Sequence, residues 1–221
     1  MTRLLSLYFL CLLSLPLAVT GANARKTVIV FGDSITQGSA LPKTDQPKVW
    51  VAVVQELSSG KLELVNEGKG GRPTNSEKDF DAMLGRQPKA DVLVIALGTN
   101  DSRDITADCV PKAVAHVKAM VGKARTAYGE KLAVLLVGPP NIRKDALGAT
   151  KPIANERAAK LVELGAGFEA LAKELSCQYV SLHGVVPESS LGKDGVHPDV
   201  SGNAAIAKVM AEKLLEMTPV K

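Results

Sequence analysis

Runs of apolar, largely β-branched residues recur along this chain at residues 27–31, 62–66, 91–97, 132–137 and, more briefly, 178–182. Most are continuous; the third is apolar at every position from Val92 to Leu97. A strand with one wet face alternates at period two, so unbroken runs of this length predict strands buried on both faces, as in a parallel sheet. Between them lie segments with helical spacing, near residues 47–58, 76–84, 110–128, 153–175 and 201–217. In the last, Ile206, Val209, Met210, Lys213 and Leu214 fall along one stripe, as a core-facing helix requires. Strands alternating with helices imply right-handed crossovers and a three-layer α/β/α sandwich. In such a sheet the polar working groups gather beyond the carboxyl ends of the strands. The places to search are therefore the segments after Phe31, Asn66, Leu97 and Val137, and the loop before the last helix.

Residues 1–24 break the pattern. Arg3 is their one charge, and it precedes an apolar stretch from Leu4 to Val19 interrupted by Ser6, Ser14 and Pro16. Ala22-Asn23-Ala24 then supplies a small-x-small pattern before Arg25. The segment reads as a secretory signal peptide cleaved after Ala24, its apolar run being shorter than the ~20 residues of a spanning helix. An uncleaved membrane anchor is the alternative. Leu10 is too large for a typical lipoprotein cleavage site ahead of Cys11. The expected product is a single domain, residues 25–221, secreted or periplasmic, with no membrane span after cleavage.

Composition narrows the function classes. A chain of 221 residues, 46% hydrophobic and 23% charged, can bury a sizeable core and is not disordered. The net charge of +4, from 27 basic and 23 acidic residues, is scattered, with no basic run interleaved with aromatics. That excludes a nucleic-acid footprint. Cys109 and Cys177 fall at opposite ends of the expected sheet, too far apart to bridge, and are expected to be unpaired thiols.

Four of the five strand-end segments carry unusual polar residues. Gly32-Asp33-Ser34-Ile35-Thr36 follows the first run; a serine on a tight strand-to-helix turn can expose its hydroxyl, although serine is also a common helix cap. Residues 66–74 contain three glycines between positions 68 and 71, which lets backbone approach a ligand, or simply makes a flexible loop. Gly98-Thr99-Asn100-Asp101 offers an amide that can donate to an oxyanion, or an ordinary turn. Asp194-Gly195-Val196-His197-Pro198 puts an acid three residues before an imidazole, so one loop can hold a general base and the group that orients it. The other histidines compete poorly: His116 lies mid-helix, and His183 follows the fifth strand without an acid at the same spacing.

In this order the four blocks resemble those of the SGNH, or GDSL, hydrolase superfamily, with Ile35 at the position that is leucine in its name. The resemblance runs from about Thr27 to Leu215. It implies a flavodoxin-like five-stranded parallel sheet of order 2-1-3-4-5 and no metal or organic cofactor. Ser34 would be the nucleophile, His197 the base and Asp194 its partner. The Ser34 N–H, the Gly71 N–H and the Asn100 side chain would form an oxyanion hole, with Gly68 or Gly70 as substitutes for Gly71. Gly71-Arg72-x-Thr74 is similar to the arylesterase and lysophospholipase-like branch. Asp33, Arg72 and Arg103 are candidate substrate contacts; Arg143 also follows a strand end, and solvated surface arginines are the plainer reading. Trp50 can line the site or anchor the core. The implied activity is hydrolysis of short-chain carboxylic esters on a small-molecule or carbohydrate substrate. Carbohydrate O-deacetylation, acyl transfer and a non-enzymatic ligand-binding domain are the alternatives.

Overall fold

The computed structural model describes residues 25–219, so the segment read as a signal peptide lies outside the described residues. Five strands, β1 (Lys26–Gly32), β2 (Leu62–Gly68), β3 (Val92–Ala96), β4 (Ala133–Gly138) and β5 (Gln178–Ser181), form one all-parallel sheet of order β2-β1-β3-β4-β5. The order expected from the four blocks is the order found. Helices α1 (Ser34–Gln37), α2 (Trp50–Leu57), α3 (Glu77–Arg86), α4 (Cys109–Tyr128), α5 (Ala154–Glu174) and α6 (Val200–Met217) connect and cover the strands.

The continuous apolar runs divide by parity, because successive side chains on a strand face opposite ways. Val28, Val30, Val92, Val94, Leu135 and Val137 pack with Trp50 and Val54 of α2 and with Ile206, Met210 and Leu214 of α6. Ile29, Phe31, Leu93, Ile95, Val134 and Leu136 face Phe80, Met120, Leu164 and Phe168 of α3, α4 and α5. Each such side chain, fully buried, contributes about 1.5–3 kcal/mol relative to exposure. Trp50 is a core anchor, almost fully buried.

Element boundaries shift by one to three residues, as two places show. Helix α2 begins at Trp50 and not at Pro47, because residues Lys43–Lys48 form a 3-10 turn and Val49 is extended. Strand β2 runs two residues further, to Gly68, where it pairs with Gly32. Cys109 and Cys177 are both free. No helix among the described residues is long and apolar enough to cross a membrane.

Candidate active site

The turn after β1 is organised by its own backbone. Asp33 is extended (φ −96°, ψ −154°) and its carboxylate accepts from the Ile35 N–H at 2.9 Å. Asp33, and not Ser34, is thus the helix cap. Ser34 becomes the first helical residue, with an N–H that has no intrahelical acceptor and a side chain left over from capping. Its Oγ lies 2.7 Å from His197 Nε2, although the two are 163 positions apart. Burial pushes the Asp33 carboxyl up to about 6, opposed by the Ile35 N–H, by His197 and by the Thr99 side chain.

The loop that carries His197 is held from outside. Leu191 and Pro198 form an antiparallel bridge, Gly192 N–H donates to His197 O at 2.7 Å, and Asp199 N–H donates to Ser190 O at 2.8 Å. Gly195 sits at φ 70°, where a Cβ would fall 2.3 Å from the Arg143 carbonyl oxygen; both the handedness and the space call for glycine. Arg143 closes the arrangement. Its N–H donates to Gly195 O at 2.8 Å, and its guanidinium donates to Leu191 O and Gly192 O at 3.2 Å each. Below the loop, the buried Asn203 accepts from Trp50 N–H at 3.0 Å and donates to Pro198 O and Asp199 O at 3.1 and 2.9 Å.

Asp194 Oδ2 lies 2.5 Å from His197 Nδ1, while Oδ1 accepts from the N–H groups of Val196 and His197 at 3.0 and 3.1 Å. Burial raises its pKa, but the His197 bond and the two backbone donors outweigh it and hold the carboxyl below its ordinary value. An ionised carboxylate only accepts, so Nδ1 carries the ring proton and Nε2 can take one from the Ser34 hydroxyl.

The next two strand ends carry the candidate amide donors. Asn100 Nδ2 spends one hydrogen on Arg72 O at 3.1 Å, leaving the second. Asp101 accepts from the Thr74 N–H at 3.0 and 3.1 Å and from its hydroxyl at 2.5 Å, which stitches the loop after β3 to the loop after β2. Gly71 is left-handed (φ 73°), and among the described residues neither its N–H nor that of Gly70 has an acceptor. Gly68 is removed from contention, because its N–H donates to Asn66 Oδ1 at 2.9 Å.

Two of the candidate substrate contacts, Arg72 and Asp33, are buried. Arg72 is buried; its Nη1 donates to Gly32 O at 2.7 Å and to Glu67 O, its Nε meets Asp79 at 3.4 Å, and its guanidinium lies 4.0 Å from the Phe31 ring centroid. It is a strut between β1 and β2. Asp33 is buried and occupied as a cap, and Arg143 is the clamp of the histidine loop. Arg103 is exposed and lines an open groove of mixed character with Asn75, Asn100, Cys109, Lys112 and Ala113. His116 pairs with Glu77 at 2.8 Å. Among the described residues, no group of three or more His, Cys, Asp or Glu is arranged to hold a metal ion.

Sequence reasoning missed Asn203 and Arg157. The signal for Asn203 was present, a polar residue next to the apolar stripe of α6. Arg157 carried none, since an arginine in a helix reads as a solvated face.

A family model described as the GDSL-like lipase/acylhydrolase family matches residues 30–205. The chain is similar in structure to a carbohydrate acetylesterase family member from Sinorhizobium meliloti (TM-score 0.74, 22% identity, 88% of this chain and 100% of that one). It is also similar to the aryl esterase of M. smegmatis (TM-score 0.70, 22% identity, 86% and 99%). Over 105 residues it is 34% identical to the uncharacterized lipoprotein YqeF of Bacillus subtilis (strain 168), covering 45% of this chain. The match spans 42% of that relative's length.

Proposed function

The chain belongs to the GDSL-like lipase/acylhydrolase family and is a carboxylic ester hydrolase, and from that premise we propose that it works through an acyl-serine intermediate on Ser34. The observation that carries this reading is the hydrogen-bonded chain from Ser34 Oγ through His197 to Asp194. Ser34 Oγ attacks the ester carbonyl carbon while His197 Nε2 takes its proton. The carbonyl π pair moves onto oxygen, which is stabilised by the Ser34 N–H, the Gly71 N–H and the second Asn100 amide hydrogen. Collapse re-forms the carbonyl, breaks the bond to the alkoxy oxygen, and passes the His197 proton to the leaving alcohol. Water then repeats the sequence and frees the acid; an alcohol in its place would give acyl transfer. Asp194 keeps Nδ1 protonated and stabilises the imidazolium that forms.

The test is hydrolysis of chromogenic short-chain esters by the purified protein and by Ser34→Ala. Wild type should turn over acetate and propionate esters, and the variant should lose roughly 10⁴-fold or more. Equal, negligible rates for the two proteins would reject the mechanism.

A second reading, removal of acetyl groups from a carbohydrate, is supported by the open groove beside Asn100, whose Asn75, Arg103 and Lys112 offer hydrogen-bond donors to a polyhydroxyl alcohol, and by the similarity in fold to a carbohydrate acetylesterase family member. Acetate release from acetylated xylan, compared with release from an aryl acetate, separates the two. Membership of the ester-hydrolase family displaces the alternative of a non-enzymatic ligand-binding domain. The lipoprotein relative and the composition of residues 1–24 support a site of action outside the cytoplasm. The amino-terminal sequence of the exported protein, expected to start at Arg25, tests the cleavage.

A further inference from the structure

Arg157 of α5 is among the largest fully buried side chains of the molecule, yet among the described residues no carboxylate lies within ion-pair distance of it. All its partners are neutral. Nε donates to Ser102 Oγ at 3.1 Å, Nη1 to Thr150 Oγ1 at 2.9 Å and Nη2 to Thr99 O at 3.4 Å. Ser102 Oγ in turn donates to Thr99 O at 2.7 Å. Two donors therefore converge on one carbonyl, that of the peptide whose nitrogen belongs to Asn100. Burial lowers its pKa most, Arg103 lowers it further by repelling the guanidinium, and Asp194 raises it by attraction. A buried cation without an acid is costly and is seldom kept for stability alone. A planar fork of donors can join three acceptors that a flexible ammonium or an amide cannot reach together.

Resting on the reading of Ser34 as nucleophile and Asn100 as oxyanion donor, we infer that Arg157 is a positioning residue for catalysis. It fixes the Thr99–Asn100 peptide, and through it the aim of the Asn100 amide, and it sets a positive charge beneath the place where negative charge develops. Such preorganisation acts on the transition state more than on the bound substrate.

The experiment compares Arg157→Met, Arg157→Lys and wild type on one acetate ester, with thermal melting of each. In Arg157→Met, kcat should fall about tenfold or more while KM stays within about twofold, and Arg157→Lys, which keeps the charge but not the planar fork, should recover part of the loss. A folded Arg157→Met with wild-type kcat overturns the inference, as does a lysine variant no better than the methionine one. If Arg157→Met does not fold, Ser102→Ala, which removes one of the two anchors on Thr99 O, should still lower kcat at constant KM; an unchanged kcat there is equally fatal. Ser34→Ala in the same assay keeps the outcomes apart. An inactive wild type would sink the esterase mechanism, whereas an active wild type, a dead Ser34→Ala and an unimpaired Arg157→Met would sink only the role of Arg157.

Discussion

Ser34 and His197, the proposed proton-transfer pair, are held in different ways. Ser34 is presented by a turn that organises itself: Asp33 caps the helix two residues on, within the same turn. His197 sits on a loop closed by its own Leu191–Pro198 bridge and pinned further by Arg143 from the segment after β4 and by Asn203 from α6. Asn203 also ties that loop to the start of α2 through the Trp50 N–H. The Ser34 turn is thus capped from within and braced by Arg72 on Gly32 O and Asn66 on Thr36 O, whereas the position of His197 depends on contacts from two segments remote in sequence. Local unfolding that frees the histidine loop should abolish activity while the serine turn stays formed.

The largest expected effect comes from cutting the loop's own internal link. Asp194→Asn replaces an acceptor facing Nδ1 with a group that can donate, which moves the ring proton to Nε2 and leaves no lone pair for the serine. We expect kcat to fall about 10⁴-fold with the fold intact by circular dichroism; a loss under tenfold would mean that Asp194 does not set the tautomer.

The serine turn is probed through pH. Asp33 is buried and its carboxyl is raised to about 6, above its value in the unfolded chain. The native state therefore binds the extra proton. Its stability contribution is fully present below about pH 4 and is lost as pH rises towards about 6, by about 3 kcal/mol in all. Asp33→Asn keeps an acceptor for the Ile35 N–H and removes the titration. Urea denaturation from pH 4 to 8 should show the variant gaining on wild type as pH rises, with the gap closing near pH 4; parallel curves would contradict the assignment.

The smallest effect tests the remote support. Asn203→Ala leaves the buried Trp50 N–H without its acceptor, a cost of about 1–3 kcal/mol. Stability measured by denaturation should drop by that amount and kcat should fall several-fold. Loss of stability with full kcat would show that the loop does not depend on α6.

The same contrast explains what was legible in the sequence. The three inner strands β1, β3 and β4 could be read because burial on both faces leaves an unbroken apolar run, whereas the edge strands β2 and β5 are half-exposed and broken by polar residues; four blocks could be read because local chemistry keeps Asp33 next to Ser34 and Asp194 next to His197. The roles of the arginines could not. Arg72, Arg143 and Arg157 all look like surface charge along the chain. Only the tertiary arrangement turns them inward, onto the carbonyls of Gly32 and Glu67, of Leu191 and Gly192, and of Thr99. Interactions made across 40, 48 or 58 positions leave no periodicity to detect. Asn203 shows the intermediate case, a visible anomaly whose partners were not visible.

Strand β1 begins at Lys26 and delivers Ser34 from its far end. Seven extended residues cover roughly 20 Å, so the chain enters the domain at the pole opposite the hydrolytic mouth. A tether attached ahead of Arg25 would hold the domain from that pole, with Ser34 at the far end of the strand.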